Sequence, residues 1–234
     1  INNYTTGQVT LTSVDDTVAN ITSIDALTTT EVTMAGATVS VSDAATLANA
    51  NAINGFTTGA VTLTSVSDTV SNLATLAAID NAEVTIAGAA ISVSDAASLS
   101  DANTINNYTT GQVTLTSVDD TVANITSIDG LTTTQVSMAA ATVSIADTGA
   151  SKTQVDTVNG FTTGTVTPTS ISEDKADITT LQGTAGISLA TTNITVTDQV
   201  NKSEADTING YTTGQVVLNS ASMTVTELAA VEAL

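Results

Sequence analysis

The sequence INNYTTGQVTLTSVDDTVANITSID occupies residues 1–25 and recurs without change at residues 105–129. A looser copy begins at Ile53, and more divergent copies begin at Val158 and Ile208. The five aromatic residues all lie at one position of this repeat, at spacings of 52, 52, 53 and 50 residues: Tyr4, Phe56, Tyr108, Phe161 and Tyr211. Aromatic residues placed once per period are typical of a stacked repeat array rather than of an irregular enzyme core.

Each repeat of about 52 residues divides into two half-repeats, which we name A and B. An acidic residue recurs every 25–27 residues, and Met223 takes the ninth place after Asp16, Asp43, Asp68, Asp95, Asp120, Asp147, Glu173 and Asp198. The 234 residues therefore hold nine half-repeats of about 26 residues each. Because the sequence starts and stops in mid-repeat, we expect residues 1–234 to be a single segment of a longer array, with repeats that start at residues 1, 53, 105, 158 and 208.

Every half-repeat carries a strand pattern followed by a helix pattern. The alternating runs at 9–14 in A and 39–42 in B predict strands that bury one face. Apolar residues three apart predict a short helix with a narrow buried stripe, as in Val18, Ile21, Ile24 and Leu27. We predict an α/β repeat fold: a right-handed solenoid of parallel strands and short helices, one coil per half-repeat. The alternative is an all-β solenoid.

Two packing details follow from the positions of the strand and helix patterns in each half-repeat. In B, the helix pattern runs from Ala44 and ends at Asn54-Gly55-Phe56, which predicts a left-handed stop at the Asn or Gly. Equivalent side chains of a solenoid lie above one another, so we expect the aromatic rings to form a buried column. Its neighbours from the intervening half-repeats would be Leu27, Ile79 and Leu131.

Composition excludes several classes of function. The chain has 23 acidic residues against three lysines, and a net charge of −20 disfavours nucleic acid and anionic membrane surfaces as partners. No run approaches the ~18–20 apolar residues of a membrane helix, so membrane insertion is not expected. Without His, Cys or Arg there is no evident nucleophile with its base, and Lys152, Lys175 and Lys202 read as solvated ion-pair partners. We therefore predict that the protein is not an enzyme, with no catalytic or cofactor-binding residues.

The recurring acidic residue has two interpretations. The favoured one is a helix N-cap, in which Asp43, Asp95 and Asp147 accept hydrogen bonds from amides two or three residues later. The other is a calcium ladder, whose weak candidates are the doubled acidic positions Asp15, Asp16, Asp119, Asp120, Glu173 and Asp174. The equivalent copy reads Ser67-Asp68, which argues against an essential metal.

Two threonine motifs also recur. Thr-Thr-Gly follows every aromatic residue, and we interpret it as a turn from helix to strand because no Gly-Lys follows it, as a phosphate loop requires. Thr-x-Thr pairs such as Thr62 and Thr64 occur in A, but B has Thr33-Met34-Ala35 in their place. This favours a half-polar strand over an ice-binding face.

Three strings carry a resemblance: Val-Ser-Asp-Thr-Val-Ser-Asn-Leu (66–73), Val-Ser-Val-Ser-Asp-Ala-Ala-Thr-Leu (39–47) and Phe-Thr-Thr-Gly-Ala-Val-Thr (56–62). They resemble the low-complexity tandem repeats of very large bacterial surface and secreted proteins, particularly cyanobacterial ones and calcium-toxin-like adhesins, and the resemblance covers nearly the whole chain. It implies an extracellular or cell-surface location, a giant parent protein and a structural or adhesive role, and it supplies no catalytic residues. The Gly-Gly-x-Gly-x-Asp pattern of calcium-binding toxin repeats is absent, which counts against calcium.

We therefore expect an extracellular structural module, the shaft of a surface filament, fibre or adhesin stalk. Its partners would be copies of itself or the continuation of the same array. The alternative is a binding module whose repeated face recognises glycan, ice or calcium.

Overall fold

A computed structural model describes residues 6–27, 31–79, 83–131 and 135–227, so Tyr4 and residues 228–234 lie outside the described residues. Strands alternate along the chain with short helices. The strands are β1 (Val9–Thr10), β2 (Ser13–Asp16), β3 (Val32–Thr33), β4 (Thr38–Ala45), β5 (Val61–Asp68), β6 (Val84–Thr85), β7 (Ala90–Ala97), β8 (Val113–Asp120), β9 (Val136–Ser137), β10 (Thr142–Ile145), β11 (Val166–Pro168), β12 (Ser170–Glu173), β13 (Asn193–Val200) and β14 (Val216–Ala221). The helices are α1 (Val18–Ala26), α2 (Leu47–Phe56), α3 (Val70–Ile79), α4 (Leu99–Asn106), α5 (Val122–Gly130), α6 (Lys152–Asn159), α7 (Lys175–Gly183) and α8 (Lys202–Asn209).

The strand pairings recorded between the described residues are all parallel. Parallel neighbours need a crossover connection, and here a short helix supplies it in each half-repeat. The chain is therefore an α/β protein in which a long parallel sheet is built from strands that alternate with short helices. The all-β alternative is wrong, because each strand pattern is followed by a helix.

The chain forms two compact units. The first comprises Ile1–Thr116 with Leu131–Ser137. Its strands follow the order β8-β7-β5-β4-β2, with β6 beside β5, β9 beside β8, and β1 paired with β3. Only residues 113–116 of β8 belong to this unit. The register is regular: Val39 of β4 lies opposite Val61 of β5, which lies opposite Val84 of β6.

The second compact unit comprises Ser117–Gly130 with Met138–Leu234. Residues 117–120 of β8 pair with β10, and β10 pairs with β11. A separate ladder joins β12, β13 and β14. The long B-type strands β4 and β13 each contain a register shift, between Val41 and Ala44 and between Val196 and Gln199. Each shift leaves one extra residue on the B-type strand: Val41 and Ala44 are three residues apart, whereas their partners Leu63 and Ser65 are two apart.

The strands place their apolar side chains inside, as the alternation predicts. In β5, Val61 and Leu63 are buried, whereas Thr62 and Thr64 are exposed. Val66 is also buried, although it comes three residues after Leu63 and is out of step with the alternation. Each helix buries a row of apolar residues along one face, and this buried row is shorter than predicted. In α1 Ile21 is fully buried, Ile24 is half-buried, and Leu27, just after the helix, is 57% exposed.

The predicted aromatic column is wrong in its burial. Phe56, Tyr108, Phe161 and Tyr211 are all half-buried, and Leu27, expected to be a buried neighbour, is exposed. These rings lie at the ends of helices, next to the turn that leads into the strand. The interior is filled instead by Val, Ile, Leu and Ala.

The B-type helix also begins and ends elsewhere than predicted. Ala44 and Ala45 belong to β4, and α2 begins at Leu47 after the N-cap Thr46. Helix α2 runs through Asn54 and Gly55 to Phe56, and neither residue has a positive φ. The left-handed stop is therefore wrong, because the chain leaves the helix in extended conformation at Thr57.

The Thr-Thr-Gly turn joins each A-type half-repeat to the B-type one before it. The buried Thr57 Oγ1 donates to Ala37 O at 2.6 Å and accepts from Gly59 N at 2.9 Å. Thr58 donates to Ala35 O through both its backbone N, at 2.8 Å, and its Oγ1, at 3.0 Å. The same bonds recur from Thr109, Thr110, Thr162, Thr163, Thr212 and Thr213.

The glycine of this turn is required by a close approach of two backbones. A Cβ on Gly59 would lie 2.1 Å from Ala37 O, and the equivalent distances at Gly111 and Gly164 are 2.2 and 2.1 Å. No side chain fits at that distance, since the neighbour is backbone. Thr-Thr-Gly is thus a turn, as predicted. It also holds two successive half-repeats together by hydrogen bonds and a close backbone approach, and we call this contact the clamp.

We expect Gly59→Ala to lower the free energy of unfolding by about 3 kcal/mol, at the upper end of the cost of overpacking. The matched control is Gly55→Ala, because a Cβ at Gly55, inside α2, meets nothing within 4 Å. That substitution should raise stability by up to about 1 kcal/mol through helix propensity. Urea unfolding followed by circular dichroism measures both variants, and equal effects would contradict the clamp.

Candidate functional site: carboxylates that join successive half-repeats

The recurring acidic residue reaches back to the helix of the preceding half-repeat. Its carboxylate accepts a hydrogen bond from the amide of the first helical residue, at 2.6–2.9 Å. The pairs are Asp43 with Val18 N, Asp68 with Leu47 N, Asp95 with Val70 N, Asp147 with Val122 N, Glu173 with Lys152 N, and Asp198 with Lys175 N. We call this set the carboxylate ladder.

Helix α2 shows how such a helix start is satisfied from two directions. The N-cap side chain belongs to the helix's own half-repeat: Thr46 Oγ1 accepts from Asn49 N, three residues on. The first helical amide, on Leu47, points elsewhere and donates to Asp68 at 2.8 Å. Both bonds use amides that the helix cannot satisfy internally, and a carboxylate also interacts favourably with the positive end of the helix dipole.

The carboxylates bind a helix N-terminus, as predicted, but the prediction of which helix is wrong. Asp43, Asp95 and Asp147 accept from amides 25 residues earlier, not two or three residues later. The local capping position is already taken by a Thr or Ser, such as Thr46 or Ser98. The sequence holds a hint of this, because the acidic residue recurs even where a good N-cap residue follows it.

In the A-type half-repeats the acidic residue has further bonds. Asp68 Oδ1 accepts from Thr69 N at 2.9 Å and from Asn72 Nδ2 at 2.7 Å, and Asp16 and Asp120 repeat both bonds. Burial opposes the ionisation of Asp68, but the bonds from Leu47, Asn72 and Thr69 outweigh it and hold the pKa below its ordinary value of 3.8. The bond from Asn20, followed by that from Thr17, lowers the pKa of Asp16.

The calcium candidates do not face a common point. Asp15 and Asp119 are exposed, whereas Asp16 and Asp120 bond to Asn20 and Asn124, and adjacent strand residues point to opposite faces. Glu173 accepts from Lys152 N, and Asp174 is the N-cap of α7. Among the described residues no three acidic side chains gather as they would around a metal ion. Calcium binding at these positions stays the alternative interpretation.

The lysines form ion pairs near the helix starts of the second unit. Lys152 pairs with Asp156 and Lys202 with Asp206, each at 2.5 Å and one helical turn apart. Lys175 lies 2.9 Å from Glu204 of the next helix and 3.9 Å from Asp198. The bond to Glu204 raises the pKa of Lys175, and the bond to Asp156 raises that of Lys152. Every lysine is therefore engaged with carboxylates.

Outward-facing hydroxyl groups lie side by side across the sheet. In the first unit Ser40, Thr62 and Thr85 occupy one row on β4, β5 and β6. In the second unit Ser144 lies opposite Thr167, and both line a shallow depression with Ser117, Thr142 and Thr165. The first threonine of Thr-x-Thr, such as Thr62, thus lies in a row on the outer face of the sheet. The second donates to the preceding half-repeat, as Thr64 does to Val41 O and Thr116 to Val93 O.

Comparison with protein-family models, with curated proteins and with solved structures finds no match to this chain. None of the described helices combines the length and apolar character needed to cross a bilayer.

The carboxylate ladder lacks its rung at the ninth half-repeat, where Met223 stands in the place of Asp68. The equivalent of Leu47 is Lys202, the first residue of α8. We expect Met223→Asp to raise the free energy of unfolding by about 1–2 kcal/mol, because it supplies a charged acceptor to the Lys202 amide. Met223→Asn, an acceptor without charge, should give a smaller gain, and Met223→Leu none. Chemical denaturation ranks the three variants, and an Asp variant no more stable than the Leu variant would contradict the ladder.

A pH dependence follows from Asp68. Because its pKa is lower in the folded state, its contribution is complete above the ordinary value of 3.8 and is lost as the pH falls through the lowered folded value. The difference in unfolding free energy between the wild type and Asp68→Asn should therefore shrink as the pH falls from about 6 to about 2. Neutralising the other carboxylates changes the unfolding free energy of both proteins equally, so it cancels in this difference. Urea titrations at several pH values measure it, and a difference independent of pH would refute the assignment.

Proposed function

We propose that the protein is an extracellular structural module: a right-handed solenoid segment that forms the shaft of a surface filament, fibre or adhesin stalk. One observation carries this proposal. The repeated polar side chains form hydrogen bonds to the neighbouring half-repeat. They are the carboxylates of the ladder and the two threonines of each Thr-Thr-Gly turn. They hold successive repeats together instead of converging on a ligand.

The solenoid is supported by the way successive half-repeats pair. Each strand lies parallel to the equivalent strand of the next half-repeat, and a helix lies between them in sequence. Connections between parallel strands of one sheet are right-handed in about 98% of cases, which is the reason for the proposed hand. Contacts with neighbours then supply most of the stability of each repeat, as a long, thin shaft requires.

The extracellular assignment rests on resemblance and charge. The strings at 39–47, 56–62 and 66–73 resemble repeats of giant bacterial surface proteins. A net charge of −20 on a chain of 234 residues disfavours non-specific binding to nucleic acid. The proposed partners are the same repeat array, in continuation or in another copy.

A length series tests the solenoid. One or two extra copies of residues 53–104 are inserted after residue 104, and small-angle X-ray scattering gives the maximum dimension and the cross-section. Each copy adds two half-repeats, so the length should grow by about 10 Å per copy at constant cross-section, given parallel strands about 4.8 Å apart. In a globular arrangement all dimensions would grow together, and a cross-section that increases with each copy would exclude a shaft.

The cellular assignment is tested separately. Antibodies raised against the chain should label filaments outside intact cells of the source organism in immuno-electron microscopy. Label that appears only after the cells are permeabilised would rule out a surface role.

A glycan-binding face is the second candidate, and the hydroxyl rows favour it over ice or calcium. Serine and threonine hydroxyl groups can both donate and accept, which suits the hydroxyl groups of a sugar chain. Thr62→Val and Thr85→Val together would remove two neighbouring groups of the row while keeping the shape of the side chains. Loss of binding on a glycan array would support this candidate, and an array without any bound glycan would dismiss it.

A further inference from the structure

An asparagine recurs two residues before every aromatic ring, and the residue between them is Gly in three copies and Asn in two. Four of these asparagines lie in the part of the chain that the structure describes, and all are half-buried: Asn54, Asn106, Asn159 and Asn209. Each lies at or near the C-terminal end of a B-type helix. One structural position is therefore followed by two chemically different residues.

The side-chain amide group of this asparagine links the helix end to a later segment of the chain. Asn54 Nδ2 donates to Glu83 Oε2, and Asn159 Nδ2 donates to Ala185 O, both at 3.2 Å. Asn159 also packs closely against Gly186, where a Cβ would lie 2.6 Å from Asn159 Oδ1. Both hydrogen bonds require the amide form of the side chain, because a carboxylate has no N–H to donate.

Asparagine followed by glycine is a chemically reactive pair. The Gly nitrogen attacks Cγ of the Asn side chain, the Cγ–Nδ2 bond breaks, and Nδ2 leaves as ammonia with the proton of the Gly amide. Water then opens the resulting five-membered imide at one of its two carbonyl carbons, which yields aspartate or isoaspartate. Glycine favours the attack because it has no Cβ to obstruct the approach and its backbone is unusually free.

The folded helix holds the attacking nitrogen in an unreactive state. Gly160 N donates to Asp156 O and Gly210 N donates to Asp206 O, each at 3.1 Å, so the proton that must leave is engaged. Gly55 lies inside α2, where the helix forms bonds of the same kind. The helical ψ also turns the Gly nitrogen away from the Cβ–Cγ bond of the preceding Asn, whereas ring closure brings the two into one plane.

We propose that Asn54, Asn159 and Asn209 are latent deamidation sites, which are closed while their helices are formed and open when the surrounding segment unfolds. The covalent change makes the unfolding permanent. At Asn54 it replaces the donor to Glu83 by a second carboxylate, and isoaspartate adds a carbon atom to the main chain within α2. Repeats that have once opened therefore carry a lasting chemical mark.

The test incubates the 234-residue protein in mildly alkaline buffer, with and without guanidinium chloride at a concentration that unfolds it. Proteolysis and tandem mass spectrometry detect the gain of one mass unit at each asparagine. In denaturant, Asn54, Asn159 and Asn209 should convert at similar rates. In the folded protein each should convert at least about tenfold more slowly, which corresponds to an opening free energy of about 1.4 kcal/mol or more.

Asn106 is the internal control. It occupies the same position at the end of α4, and the side-chain oxygens of Asn54 and Asn106 are both buried, but Asn107 follows it in place of glycine. In denaturant the folded surroundings are gone, so only the following residue distinguishes the two sites. Asn106 should remain largely intact when half of Asn54 has converted.

The matched variant is Gly55→Ala, because a Cβ at this position meets nothing within 4 Å. In denaturant it should abolish the rapid conversion of Asn54 and leave that of Asn159 unchanged. This comparison is made on the unfolded chain, so it does not depend on how well the variant folds.

Three results would overturn the proposal. Equal conversion of Asn54 with and without denaturant would mean that the helix does not close the site. Equal conversion of Asn54 and Asn106 in denaturant would mean that the glycine has no role. After the denaturant is removed, chains with isoaspartate at position 54 should unfold at a lower denaturant concentration than unconverted chains, and equal midpoints would show that conversion does not make the unfolding permanent.

Discussion

The bond between a carboxylate and the first helical amide of the preceding half-repeat is the interaction on which the rest of the structure depends. Helices of 8–10 residues are marginal in isolation, because nucleation costs more than so few turns return. Six of the described helices receive a charged acceptor from the following half-repeat at their N-terminal end, where amides have no partner within the helix: α1, α2, α3, α5, α6 and α7. The helix and the adjacent strand therefore form together, and the half-repeat cannot be understood by itself.

The same interaction explains how so acidic a chain can fold. Many of the carboxylates face helix N-termini, where the dipole and the amide hydrogen atoms offset their charge. Equivalent acids of successive A-type half-repeats are separated by about two strand spacings, or roughly 10 Å, which is about one Debye length at 0.1 M salt. Repulsion between these A-type acids is therefore partly screened by salt, and the remaining acids keep the exterior hydrated.

Polar residues that look functional in the sequence serve the backbone in the structure. The buried Thr57 and its counterparts satisfy a carbonyl of the preceding half-repeat, and the glycine two residues on lets the two backbones approach. Asp16, Asp68 and Asp120 hold an asparagine one turn into the helix. What is left for recognition is the outer face of the sheet, whose hydroxyl groups have the regular spacing of the strands. This division between a bonded interior and a hydroxyl-lined exterior is consistent with the proposed structural role.

The sequence by itself determined the period, the two kinds of half-repeat, and the alternation of parallel strands with short helices, because these follow from local patterns of apolar and β-branched residues. It also placed Val61 and Leu63 in the core, since alternation assigns the faces of a strand directly. The tertiary structure alone decided which amide each Asp binds, because a Thr or Ser beside it already filled the local cap and the free donor lay 21–25 residues away. It also decided that the aromatic rings stay half-buried at the helix ends, since Val, Ile, Leu and Ala from neighbouring half-repeats fill the interior and leave no space there for a ring.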